Sequence, residues 1–323
     1  MPAARKRLRV LGLVGVCVAL TFATVYVQWF VLGNDFVEKL QNGRHRRVLL
    51  GISPDPWQYR VLSEFVIHAA IRLFQLLGVE RPIVWGFLSF RVAQNLAIFL
   101  LAARYYRLLG IGDRRVLLGL GAIAWAMTNA LYDSDLSPST YSDVVLYLLA
   151  GLTVVRRRFV WIVPLALCAA LNRETGALIP VMAIAVGLWD RKAPDSREAI
   201  GLGLSGALLF AATYLGVRGY LGPRRVFYAH GHPPGLDVAL ANLSRLNSWA
   251  RLVVTGGLFP LFAALAYRSW PPLLRVLALV ILPAWTLAHL LGGVVAETRL
   301  FLAPLAVVVI PAGLFAFGEP RES

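Results

Sequence analysis

Carboxylates and arginines set among apolar residues are the first candidates for chemistry in this chain: Asp35, Asp55 and Arg60, then Arg173-Glu174, then Glu297 and Arg299. Arginine forks bind phosphate bidentately and stay charged at any working pH. A carboxylate beside them can take the proton of a hydroxyl nucleophile. Together these types suit displacement at a lipid phosphate or diphosphate. The competing explanation is that Arg173–Glu174 and Glu297–Arg299 are structural ion pairs between helices. Asp133-Ser134-Asp135 has the Asp-x-Asp spacing that chelates a hard divalent cation such as Mg or Mn, and equally the composition of a turn before Pro138. His230 and His232 lie in a Gly/Pro loop without a third ligand and do not read as a zinc site. No GxGxxG, GxxxxGK[ST], HExxH or CxxC motif is present.

The elements that must hold these residues are membrane helices. Of 323 residues 58 % are hydrophobic and 15 % charged, with mean hydropathy +0.67, which no soluble domain of this length shows. The net charge of +15 has its explanation in basic cytoplasmic loops. No Lys/Arg-rich domain stands apart from the apolar runs, which excludes a nucleic-acid module. Cys17 and Cys168 both fall inside apolar segments and read as small hydrophobic residues. The basic start, Arg5 to Arg9, and the apolar run after it read as a first transmembrane helix, because the run is too long for a cleaved signal.

The expected fold is all-α and polytopic, one transmembrane domain over 1–323 with about 10 spans. Helix 1 covers about 10–32 and ends at Gly33-Asn34-Asp35. A polar loop, 33–59, contains Ser53-Pro54-Asp55-Pro56-Trp57-Gln58-Tyr59-Arg60, where two prolines forbid a continuing helix. From Arg60 to 79 an amphipathic helix follows, with Arg60, Glu64, His68 and Arg72 recurring every four residues on one face. That stripe favours a helix lying along the interface, since a charge at mid-bilayer costs roughly 2.5–3.5 kcal/mol. Further spans are expected at about 82–104, 115–131, 141–155, 199–217, 250–268, 273–294 and 299–317. The short runs 159–171 and 175–189 form either a hairpin with its tip at Asn172-Arg173-Glu174 or one long broken helix. A long polar loop is expected over 218–249.

With 60–79 interfacial, the positive-inside rule puts 1–9, 104–115, 156–158, 189–198 and 268–275 in the cytoplasm. Asp35, Asp55, Arg60, Asp133, Asp135, Arg173, Glu174, Glu297 and Arg299 then share the external face. There are only 17 acidic residues, yet five separate external turns each carry at least one, so their convergence is expected.

At this point the pattern resembles the type C glycosyltransferases. The resemblance rests on a first helix ending at Asp35, a first external loop with a second acid and an interfacial helix, and charged external turns. Asp55-Pro56-Trp57-Gln58-Tyr59-Arg60, Asn172-Arg173-Glu174-Thr175 and Glu297-Thr298-Arg299 look like segments of bacterial members. It implies an inner-membrane enzyme, N-terminus cytoplasmic, moving a sugar from a polyprenyl-phosphate carrier to a glycan, lipid or protein acceptor at the periplasmic face. It further implies a base in the first loop, Asp35 by position with Asp55 as rival, and carrier phosphate on Arg60, Arg173 or Arg299. Trp57 and Tyr59 would stack on a sugar face. The first loop lacks the adjacent acidic pair of better-known members, which leaves the acceptor and metal need open. The rival classes are a transporter or flippase, an acyltransferase or polysaccharide polymerase at the same face, and a non-catalytic partner in envelope assembly.

Overall fold

A computed structural model describes residues 2–131, 134–228 and 231–318. Helix makes up 81 % of it, and among the described residues no strand is present, so the chain is all-α. Six helices are long and apolar enough to cross a membrane, or seven if one bent pair is counted as a span. This is a membrane protein. The tally is below the ten expected because four of the predicted spans are short or broken.

The first helix, α1 (Pro2–Asp35), does not end where the sequence implies. Gly33, at φ 72°, kinks the chain, which then continues through a π-helical turn at Phe36–Gln41 into α2 (Asn42–Leu49). The expected polar loop is therefore helical up to Leu49. Lys39, Gln41 and Arg46 are good helix formers, and one permissive glycine redirects the helix without stopping it.

The next helix, α3 (Val61–Leu76), falls where the four-residue repeat predicts it, but Glu64 of its polar stripe turns inward while Arg72 stays exposed. Glu64 is buried and lies 2.7 Å from Nδ1 of His45 on α2, while Phe65, Leu73 and Leu76 are exposed. The outward apolar face is what a helix resting against lipid presents. Helix α3 packs on α4 (Pro82–Leu108), where a Cβ at Gly86 would stand 2.4 Å from Cγ1 of Ile71 and 3.1 Å from its backbone N. A neighbour made of backbone cannot rotate away. Gly86→Val is expected to destabilise the protein by about 1–3 kcal/mol, read as earlier unfolding in detergent, and to lift α3 from its seat.

Beyond α5 (Asp113–Asn129) and α6 (Pro138–Val155), the two short runs form separate helices, α7 (Ile162–Ala170) and α8 (Leu178–Trp189). The turn between them carries Asn172 and Arg173, and both helices pack on α9 (Ser196–Leu221). Gly187 lies against Ser196 and Ala199, and Gly203 against Pro180 and Ile184, so small residues let the backbones approach. The expected loop 218–249 is half helical, containing α10 (Leu236–Ser244) and the start of α11 (Leu246–Gly256). The span expected over 250–268 is broken: α11 and α12 (Phe259–Leu265) meet at 73° beside Gly257, whose φ is 56°.

After α13 (Pro272–Gly292), the C-terminal run Thr298–Phe317 threads the core. It contains a π-helical stretch, Leu305–Val309, where the ordinary bond ladder is interrupted. Buried Tyr106 donates its hydroxyl to the carbonyl of Ala306 at 2.8 Å, and Tyr105 to that of Val307 at 3.0 Å. The turns alternate between two ends of the bundle. One end holds exposed pairs such as Arg107–Asp113 and Arg157 with Asp190 and Asp195. The other holds nearly every candidate from the sequence.

Candidate functional site

Two prolines shape the first wall of the site. Between the two prolines Asp55 forms an isolated β-bridge with Val226, and Pro56, at φ −93° and ψ −4°, turns the chain into the short helical turn Trp57–Tyr59. Asp55 N donates to the Arg225 carbonyl at 3.0 Å, and Phe227 N donates to the Asp55 carbonyl at 3.0 Å. Gln58 braces the turn from behind, accepting from Ser53 N at 2.8 Å and donating to the Val48 carbonyl at 3.0 Å. Tyr59 donates to the carbonyl of Gly222 at 2.9 Å, and the Trp57 and Phe227 rings meet edge to face. The loop after α9 is thereby strapped to the first loop.

A cleft of about 380 Å³ opens under this strap. Arg60 donates to Glu174 at 2.9 Å; Arg218, at the end of α9, reaches the other oxygen of Glu174 at 3.2 Å and lies 3.8 Å from Asp55. The Arg218 guanidinium is stacked over the rings of both Tyr59 and Tyr214. On the far wall Arg299 lies 2.5 Å from Asp135 and 2.6 Å from Glu297, and Arg44 of α2 holds the other oxygen of Asp135. Arg173 at the α7–α8 turn has Asp143 of α6 3.6 Å from its Nε. Both Arg173 and Arg299 donate to the hydroxyl of Thr140, at 3.0 and 3.3 Å.

The arginines are held but not exhausted. Nε of Arg60, of Arg173 and of Arg299 is buried without a hydrogen-bond partner. A buried N–H left unpaired costs about 1–3 kcal/mol, so each favours an incoming acceptor such as a phosphate oxygen. The carboxylates differ as well. Burial raises Asp135, but Arg299 and Arg44 outweigh it and hold the carboxyl down at about 2. Asp55 is half-buried; burial pushes its carboxyl up, and nearby Glu174 adds to the rise, against the opposing pull of Arg218 and Arg60. Its ion pair, with Arg218 at 3.8 Å, is longer than those of Glu174 and Glu297.

Of the charged residues expected to converge, Asp55, Arg60, Arg173, Glu174, Glu297 and Arg299 line the cleft together, and Trp57 lines it with them. Tyr59 is buried behind it, carrying Arg218 on its ring rather than offering a face to a ligand. Asp135 sits below it as the anchor of Arg299. Asp35 is not part of it: its side chain is 81 % exposed and pairs with Lys39, one turn on. Glu297–Arg299 is an ion pair as the structural alternative expects, whereas Glu174 pairs with Arg60 and Arg218 and not with its neighbour. Asp133 and His230 lie outside the described residues. With Asp135 engaged by two arginines, its half of the Asp-x-Asp triplet has little left for a cation; among the described residues no three His, Cys, Asp or Glu gather as a metal site.

Sequence reasoning missed Asp143, Arg218, Arg44 and His289. Asp143 had a visible signal, a carboxylate inside an apolar helix, which is costly without a partner. Arg218 stood four residues after Tyr214, one turn apart on the same helix. No family model, no curated protein and no solved structure matches this chain.

Proposed function

We propose that this chain is an inner-membrane glycosyltransferase that moves a sugar from a polyprenyl-phosphate carrier to an acceptor hydroxyl at the periplasmic face. The observation that carries the reading is the meeting, in one cleft, of a carboxylate that accepts no hydrogen bond from a described residue, Asp55, with three arginines whose buried Nε–H groups lack hydrogen-bond partners. The basic turns at the opposite end of the bundle favour a cytoplasmic N-terminus and an external cleft.

In this mechanism Asp55 takes the proton of the acceptor hydroxyl as its oxygen attacks the anomeric carbon. The bond from that carbon to the phosphate oxygen breaks, and its electron pair leaves with the polyprenyl phosphate. Arg60, Arg173 and Arg299 stabilise the charge that grows on the phosphate. Trp57, edge to face with Phe227, lines the same cleft.

The test is transfer by purified protein supplied with polyprenyl-phosphate-linked sugars and a membrane extract containing acceptors. Asp35→Asn is expected to leave both transfer and thermal stability unchanged, because Asp35 is a surface partner of Lys39 remote from the cleft. Loss of transfer in that variant alone would return the base to Asp35. A transporter is the second reading, favoured by the 73° break between α11 and α12, since discontinuous helices line transport sites. Carrier lipid moved across vesicles without any sugar transfer would select it.

A further inference from the structure

One polar group in the cleft has no part in this mechanism. His289 is buried near the end of α13 and lines the cleft. Its Nδ1 lies 2.9 Å from the carbonyl oxygen of Trp285, one turn earlier. A carbonyl only accepts, so Nδ1 carries the hydrogen and the lone pair of the neutral ring sits on Nε2. The ring plane is held from two sides, stacked at 24° on Trp285 with centroids 5.1 Å apart and 5.6 Å from the ring of Phe301. Its edge is left clear by Gly293, where a Cβ would lie 3.5 Å from His289 Cδ2, the atom next to Nε2.

The charged groups around it are of two kinds. Arg60, Arg173, Arg218 and Arg299 only donate. Glu174 and Glu297 already accept from arginines, and Asp55 is the base. Beside the hydroxyls of Tyr214 and of Thr175, the latter donating to Asp143, His289 Nε2 is an uncharged acceptor bonded to no described residue, in a cleft rich in donors. Such a group has little use for a phosphate, which also accepts. It suits a hydroxyl.

Resting on the glycosyltransferase reading, the geometry points to His289 as a specificity residue that accepts a hydrogen bond from a hydroxyl of the donor sugar. His289 and Arg173 line the same cleft. Arg173 belongs to the phosphate-binding set, and the sugar attached to that phosphate is the hydroxyl-bearing group nearest to it. Fixing the hydroxyl by a locked tautomer orients the anomeric carbon without adding charge.

The experiment uses the full chain in lipid nanodiscs with polyprenyl-phosphate hexoses and pentoses and their single-deoxy analogues. Wild type is expected to lose about 10- to 100-fold in kcat/KM for the analogue lacking the bonded hydroxyl, the effect of leaving one buried acceptor unpaired. His289→Phe keeps an aromatic ring in the stack but has no acceptor. It is expected to fall by a similar factor on the parent sugar and to stop discriminating against that one analogue. His289→Gln, whose amide oxygen can reach the place of Nε2, is expected to recover part of both, which a purely structural role would not produce. His289→Leu provides the same comparison if the Phe variant does not fold. The inference is overturned if acceptor-less variants turn over the parent sugar at the wild-type rate, or discriminate among the analogues as wild type does. A wild type that transfers no carrier-linked sugar overturns the underlying reading, and this one with it.

Discussion

Asp55→Asn is expected to lower sugar transfer by about 10²- to 10⁴-fold while leaving the fold intact, the range over which a positioned general base acts. The two halves of that expectation have separate causes. The backbone of Asp55, not its carboxylate, makes the bridge to the 225–227 segment, so asparagine preserves the strap over the cleft. Arg218 lies 3.8 Å from Asp55 but 3.2 Å from Glu174, so it keeps its nearer partner. What disappears is a proton acceptor. A pH profile gives an independent check. Burial raises the Asp55 carboxyl, so kcat/KM for wild type should fall, as pH drops, at a value above the usual carboxylate range near ~4. Below that value the base is protonated; above it the rate is level. The residual rate of Asp55→Asn should lack this limb. A variant that keeps more than about a tenth of wild-type transfer would remove Asp55 from the mechanism.

The parts of this protein that were legible in the sequence are those decided by local pattern. Long apolar runs announced helices, and Pro54-Asp55-Pro56 announced a break, because chain stiffness and hydropathy act within a few residues. The grouping of Arg60, Arg173 and Arg299 at one end followed from alternating turns and basic clusters. What stayed hidden depends on partners far along the chain. The stripe on α3 was read as a polar face towards water, yet Glu64 turns inward because His45 waits for it on a helix that the loop composition concealed. Tyr59 has the ring of a sugar platform, yet the guanidinium of Arg218 lies on it. Asp35 matched a base by position alone, and position does not show that Gly33 bends the chain and leaves the carboxylate in the open with Lys39. For Glu64 and Tyr59 the missing fact was a contact on another helix; for Asp35 it was a local bend at Gly33.

The largest expected effect on stability comes from a residue that touches no ligand in this scheme. Asp143→Ala should destabilise the protein by about 3–5 kcal/mol, the cost of stranding one member of a buried ion pair. Asp143 and Arg173 are both almost fully buried, with side chains 2 % and 4 % exposed. The carboxylate also accepts from Asn172 and from the hydroxyl of Thr175, each at 2.9 Å, so it organises the whole α7–α8 turn. Without it the guanidinium of Arg173 retains Thr140 and little else. Asp143→Asn keeps an oxygen acceptor and should cost less, yet it too leaves the arginine uncompensated. The decisive comparison is the double variant Asp143→Ala/Arg173→Met. Removing both charges leaves no stranded ion, so the double variant should unfold later in detergent than Asp143→Ala alone. It should nevertheless transfer no sugar, because one arginine of the phosphate set is gone. If instead the double variant is the less stable of the two, Arg173 is held by the α7–α8 turn itself, and Asp143 has no part in keeping that guanidinium at the cleft wall.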